Sequence, residues 1–165
     1  MKLYLSLLAA FAFSTSLFSQ NFKAEYTSSE KTFFGIDYSA TSFVDEYAFT
    51  KPGEMQGLMK SWNNFIKKEP SKYDIRHAFL DFNVSSDLTQ ALAVSDKIDT
   101  NWIVKESCGL VSEEQAVEIA SSYDVSEISG LAIVFVAECY DKLSLTGSYY
   151  LVIIRAETGE VAFIR

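Results

Sequence analysis

GLAIVFVAECYDKLSLTGSYYLVIIRAETGEVAFIR, residues 130–165, is the stretch on which the fold turns. Leu131–Ala137 is an almost unbroken apolar run rich in branched residues, the pattern of a central strand buried on both faces. Tyr149–Ile154 is a second such run, Glu157-Thr158-Gly159-Glu160 reads as a tight turn, and Val161–Ile164 as the strand returning from it. Three strands in succession with no helix between them argue against an all-parallel doubly wound sheet.

Just upstream, Ser112 with Gln115 three residues on has the form of a capping box, and Glu113 and Glu114 suit the positive first turn of a helix. Val117, Ala120 and Tyr123 give its inner face, and it should end near Asp124. Further back, Met55, Leu58, Met59, Trp62, Phe65 and Ile66 fall on one stripe at helical spacing. Thr50 is placed to cap that helix, Pro52 is tolerated in its first turn, Lys67 and Lys68 suit its end, and Pro70 stops it. A Met/Trp/Phe stripe at this spacing reads as core packing before it reads as a cofactor wall or a partner groove.

In Lys31–Phe43, Phe34, Ile36 and Tyr38 alternate with Gly35, Asp37 and Ser39, which is the period of a strand. Gly35 inside that run marks a bulge or a close backbone approach, and the plain reading is a bent first strand with Asp37 facing water. Ser71–Leu80 reads as a short helical turn with Tyr73, Ile75, Ala78 and Phe79 turned inward. Asp81–Ser95 reads as a short strand followed by a short helix, and Trp102-Ile103-Val104 as a brief entry into the sheet. Asn21–Glu30 is polar and reads as a mobile lead-in or a short edge strand. This order predicts an α+β fold: a mixed or mostly antiparallel sheet of about four or five strands with two main helices on one face.

The amino terminus has a different character. Met1-Lys2 is a short positive start, Leu3–Phe13 is apolar apart from Ser6, and small polar residues run from Ser14 to Gln20. That is the plan of a secretory signal peptide, and the run is too short to span a bilayer, which takes roughly 18–20 residues. With cleavage after Ser19, residues 1–19 are a signal peptide and residues 20–165 a single globular domain, exported to a periplasmic or extracellular location. Two prolines in 165 residues and no repeat or low-complexity linker support one domain. The full chain has 14 basic and 22 acidic residues; without Lys2 the balance is 13 against 22, a net charge of −9. Such a chain is repelled by phosphate backbones and anionic lipid, which excludes nucleic acid and polybasic membrane docking as partners. No stable membrane insertion is expected, an unidentified protein partner is open, and oligomeric state is not legible.

Three segments together carry a resemblance. They are Phe33-Phe34-Gly35-Ile36-Asp37-Tyr38-Ser39, the Trp62-bearing helix with Glu69-Pro70-Ser71-Lys72-Tyr73-Asp74 at its end, and Gly130–Glu138 followed by Glu157-Thr158-Gly159-Glu160-Val161. They resemble a family of uncharacterised secreted proteins of Bacteroidetes-type bacteria. The terminal pattern also resembles the amino-terminal domain of TolB and related curli-assembly lipoproteins. The resemblance spans most of the mature chain, implies an exported α+β module, and carries no activity with it.

Catalytic chemistry has little to stand on. His77 is the only histidine, so a triad, a Cys/His dyad and a two-histidine zinc site all compete for it or need more than exist. Asp37, Asp45, Glu46 and Glu138 could converge as paired carboxylates, but nothing in their spacing demands it. There is no Asp-rich calcium loop, Gly-rich phosphate loop or nucleophile elbow, and Asn83-Val84-Ser85 is a sequon that matters only in a eukaryotic host. The expectation is therefore no catalytic, cofactor or metal site. The chain reads as a non-catalytic protein-interaction or envelope-associated module, acting through a sheet edge. The alternative is a carbohydrate-binding module with Trp102, Tyr140, Tyr149 or Tyr150 as stacking platforms.

Cys108 and Cys139 are the only cysteines. Export places them where a disulfide persists, and a helix packed antiparallel against its next strand brings their two positions together. The competing reading is two small buried thiols. Redox catalysis is disfavoured because no Cys-x-x-Cys is present.

Overall fold

A computed structural model of the chain describes residues 22–44, 49, 51–81 and 83–165. The expected signal peptide, Thr50, Asp45 and Glu46 lie outside the described residues, as does the side chain of Trp102. The elements in chain order are α1 (22–28), β1 (Lys31–Asp37), β2 (Ser42–Val44), α2 (Pro52–Lys68), α3 (Ile75–Ala78), β3 (Val84–Ser86) and α4 (Thr89–Ser95). A 3-10 turn over Thr100–Trp102 then leads into β4 (Val104–Lys105), followed by α5 (Glu113–Ser121), β5 (Leu131–Asp141), β6 (Thr146–Arg155) and β7 (Val161–Ile164).

β1 and β2 lie end to end along one edge of β5, both parallel to it, with β3 parallel beside β1 and β4 parallel beside β2. On the other edge β6 is antiparallel to β5, and β7 antiparallel to β6. The sheet thus has seven strands, five of them joined in parallel pairs, and the fold is α/β. This corrects the expected α+β fold with a mixed or mostly antiparallel sheet of four or five strands. The terminal meander is as expected. What strand order alone concealed is that each helical connection ahead of it returns the chain in the same direction, as crossovers do.

The expected placement of both main helices on one face is also corrected. The α2–α3 connection steps outward from β2 to β3, which lies beside β1, and the α5 connection steps inward from β4 to β5. Right-handed crossovers of opposite step fall on opposite faces. The core shows this in β5: Leu131, Ile133 and Phe135 pack with Phe33, Ile153, Ile66 and Phe79, whereas Ala132, Val134 and Val136 pack with Phe34, Val152, Ile154, Ala116 and Ala120.

Local chemistry explains the elements. Ser112 Oγ accepts from the Gln115 N–H at 3.2 Å and Gln115 Oε1 accepts from the Ser112 N–H at 3.0 Å, so α5 begins with the expected capping box. Its buried inner residues are Ala116 and Ala120, with Val117 only half-buried. α2 starts at Pro52 and ends at Lys67 and Lys68 as its sequence suggests, but its cap position is Lys51, which makes no side-chain capping bond. Residues 22–28 are helical, not a lead-in or edge strand. Phe22 stacks on Phe163 with ring centroids 5.4 Å apart, and the Arg155 guanidinium forks onto Glu25 at 2.7 and 2.9 Å. Docking therefore outweighs the polar composition of this segment. Lys31, buried at the start of β1, donates to Asp81 and to the Ser29 carbonyl, and it holds the Asp81 carboxyl below the usual range.

Two of the three register shifts in the sheet steer the strands that build the site. In β1 the register shifts between Phe33 and Gly35, and Gly35 has φ +99°. A Cβ there would sit 2.7 Å from Asn63 Oδ1 and 3.0 Å from Leu88 Cδ2, so the expected bulge and the close approach are both present and only glycine fits. The visiting Asn63 amide donates to the Ile36 carbonyl at 2.9 Å and accepts its N–H at 2.8 Å. In β5 the register shifts between Ala137 and Cys139. The extra residue, Glu138, sends Cys139 to the α5 side and leaves Tyr140 on the α2 side, in contact with Phe43 and Trp62. Cys108 and Cys139 are brought to bonding distance, with Cα atoms 5.5 Å apart across a separation of 31 residues.

Candidate functional site

A cavity of about 970 Å³ opens between α2, the loop into α3 and the exposed side of β1, β5 and β6. Eight of its lining residues are aromatic. Phe33, Phe135 and Tyr140 rise from the sheet, Tyr38 follows β1, Trp62 and Phe65 come from α2, and Tyr73 and Phe79 flank α3. Ile36, Ile66, Ile75 and Leu151 fill between them, and Ser71, Lys72, Asp74 and His77 supply a polar mouth. The sequence builds this opening by using wide rings on short, widely spaced elements. α3 has four residues and its expected inward side is half realised: Ile75 and Phe79 are half-buried, whereas Tyr73 and Ala78 are exposed.

The rings brace one another. Trp62 lies 5.8 Å from Tyr38 and 5.9 Å from Tyr140, Phe33 lies 5.6 Å from Phe135, and Phe65 stacks on Tyr73 at 6.3 Å, all within the range of favourable aromatic pairs. Burial raises the Tyr140 phenol to about 12, against a lowering from the hydrogen bond of Tyr38 and a further raising from Tyr149. Tyr38 is raised further, first by burial and then by Tyr140 and Tyr149. Both phenols stay protonated at neutral pH. At the mouth, Asp74 caps α3 by accepting the His77 N–H at 3.1 Å, and Lys72 lies 3.8 Å from Glu69.

The residues singled out from sequence are dispersed by the fold. Tyr140 lines the cleft, and Tyr149, 49% exposed, stands at its margin against Phe135 and Tyr140. Tyr150 faces the α5 side and donates its hydroxyl to the Val111 carbonyl at 3.0 Å. Asp37 does not face water: it is 1% exposed, and it accepts from the Tyr123 hydroxyl at 2.8 Å and the Ser39 N–H at 2.7 Å. Its strand ends under α5, and burial followed by Asp37 raises the Tyr123 phenol. Glu138, at the bulge, accepts from the Val111 N–H at 3.4 Å, so each of these two acids has its own partner. His77 is exposed at the cleft mouth, and Asn83 precedes β3 at the sheet edge. Among the described residues no helix is long and apolar enough to cross a membrane, and no three His, Cys, Asp or Glu side chains cluster as metal ligands. The stripe of α2 is core only at Met55 and Met59; Trp62, Phe65 and Ile66 are half-buried and form a wall of the cleft, a division that helical spacing does not reveal.

Comparison with protein-family models, with curated proteins and with solved structures returned no match.

Proposed function

We propose that the protein is a non-catalytic binding module, exported or envelope-associated, and that the aromatic cleft is its binding element. One observation carries this reading: about 970 Å³ of open space is walled by half-covered rings. Leaving apolar surface wet forgoes about 25 cal/mol per Å² of burial, so the uncovered part of these rings finds its use in a guest and not in stability. Its volume lies in the range of ligand sites, roughly 300–1,000 Å³, and its few polar groups sit at the mouth and beside Tyr38, as such sites are built. The export half of the proposal rests on the Met1–Gln20 pattern, and the Cys108–Cys139 pair is in keeping with an oxidising compartment. The carbohydrate reading keeps one support, the Tyr149 ring, half exposed at the cleft margin.

The test is a titration with the neutral dye N-phenyl-1-naphthylamine. A single saturable site that weakens in Phe65→Ser, with circular dichroism unchanged, is expected. Uptake that does not saturate, or that ignores the substitution, would defeat the cleft. Soluble oligosaccharides that bind, and stop binding in Tyr149→Ala, would move the assignment to the carbohydrate reading.

A further inference from the structure

Charge at the cleft mouth is already compensated. Lys72 faces Glu69 at 3.8 Å with its ammonium 5.0 Å from the Tyr73 ring centroid, and Asp74 is occupied as the cap of α3. The floor, from Phe33, Ile36, Phe135, Tyr140 and Leu151, brings no formal charge. The whole chain has a net charge of −8, and Lys72, Asp74 and the exposed His77 stand at the mouth, so the floor has no group to offset the desolvation of a charged guest.

Hydrogen-bonding capacity, by contrast, is left over. The hydroxyls of Tyr26, Tyr123 and Tyr150 donate to Phe79 O, Asp37 and Val111 O. Among the described residues Tyr38, 1% exposed, lies beside Tyr140 with ring centroids 6.1 Å apart. Two neighbouring phenols can satisfy only one of their two protons between them, which leaves the other for a guest. The surrounding rings offer flat faces at stacking distances.

Resting on the cleft as the binding element, we propose that its guest is an uncharged, flat, largely apolar molecule carrying one hydrogen-bond acceptor, which the Tyr38–Tyr140 pair addresses. These two are specificity-determining residues; the other rings supply area.

The test uses the exported protein carrying Trp102→Phe, which leaves Trp62 as the single tryptophan, and follows the Trp62 indole N–H by NMR. Four probes share one ring system: 2-acetylnaphthalene, naphthalene, 2-naphthoate and protonated 2-(aminomethyl)naphthalene. The ketone is expected to bind one to one, with naphthalene about three- to tenfold weaker. Both charged probes are expected at least about tenfold weaker than the ketone. In Tyr38→Phe/Tyr140→Phe the advantage of the ketone disappears while naphthalene affinity holds; Tyr140→Phe alone carries the comparison if the double variant does not fold. Equal affinity for ketone and hydrocarbon, or an advantage that survives the substitutions, overturns the role of the phenols. Tighter binding of a charged probe overturns the neutral guest. If none of the four moves an intact Trp62 signal, the cleft itself fails as the binding element and this inference falls with it.

Discussion

On the α5 side of the sheet, β5 and β6 present Ala132, Val134, Val136, Val152 and Ile154, each 1% exposed or less. Toward the cleft the same two strands present Phe135, Tyr140, Tyr149 and Leu151, none of them buried. Small and β-branched side chains let a helix with alanines at its centre settle directly onto the strands. Wide rings cover more area per residue but hold α2 and α3 away from the sheet, and the gap between them is the cleft. On the α2 side Leu131, Ile133 and Ile153 are still core, so the rings open only part of that face to recognition, while the α5 face is closed throughout.

Severing the disulfide is expected to have the largest effect, because it anchors the loop before α5 to the bulge of β5. Across a separation of 31 residues, the chain-entropy model gives about 3–4 kcal/mol. Urea unfolding of the native protein against Cys108→Ser/Cys139→Ser reads it directly, and a loss under about 1 kcal/mol would mean that the α5 face does not depend on the bridge.

Next in size is a matched pair of truncations on opposite faces of β6. Ile154→Ala, at a site 1% exposed, should cost about 3 kcal/mol, and Leu151→Ala, half-buried at the cleft, about 1. Similar losses would erase the difference between the faces. Smaller still is Tyr123→Phe, which removes the hydroxyl bonded to Asp37 at 2.8 Å and should cost about 2 kcal/mol, since a buried carboxylate loses one of its donors. Tyr140→Phe should cost about 1 kcal/mol, because it removes the oxygen beside the buried Tyr38 hydroxyl.

The last expectation is spectroscopic. The phenols of Tyr38, Tyr123 and Tyr140 are raised above the ordinary tyrosine value of 10.0 on folding, chiefly by burial. The folded state therefore holds protons that the unfolded state gives up. The stability this represents is complete below pH 10 and is lost as pH rises above it. Absorbance at the phenolate band should show Tyr140 ionising near 12 in the folded protein, whereas Tyr123 ionises only as the chain unfolds. Tyr123 titrating first would reverse the assignment of the dry face.

Much of the local structure was legible. The Ser112–Gln115 capping box, the bulge at Gly35, the stop at Pro70 and the terminal meander are written in residue types whose physics is local. Strand direction was not, because β1 with β3, and β2 with both β4 and β5, pair across helical connections whose sense depends on packing and not on any residue in them. Asp37 was misread for a related reason: its polarity announced solvent, and the partner that permits burial, Tyr123, lies 86 residues away. The cleft left a partial trace. Trp62, Phe65 and Ile66 were visible as a stripe, and Tyr140 as a candidate platform, but whether the stripe meets a helix-sized or a ring-sized surface is also set by Phe135, which the apolar run of β5 presented only as further core.

The Asn63 amide has a consequence for encounters between molecules. β3 pairs with β1 only at Lys31, Thr32 and Phe33, so the peptide groups of Ile36 face outward with no strand beside them. A short gap of this kind is a foothold for edge-to-edge aggregation, since an extended segment of another chain can bond there and recruit the rest. Asn63 fills it with both halves of one side-chain amide, delivered from a helix that no incoming strand can displace without lifting α2. Colloidal safety is thereby tied to the seating of α2, and on heating the first aggregates should form when that helix lets go, while the α5 side of the sheet is still intact.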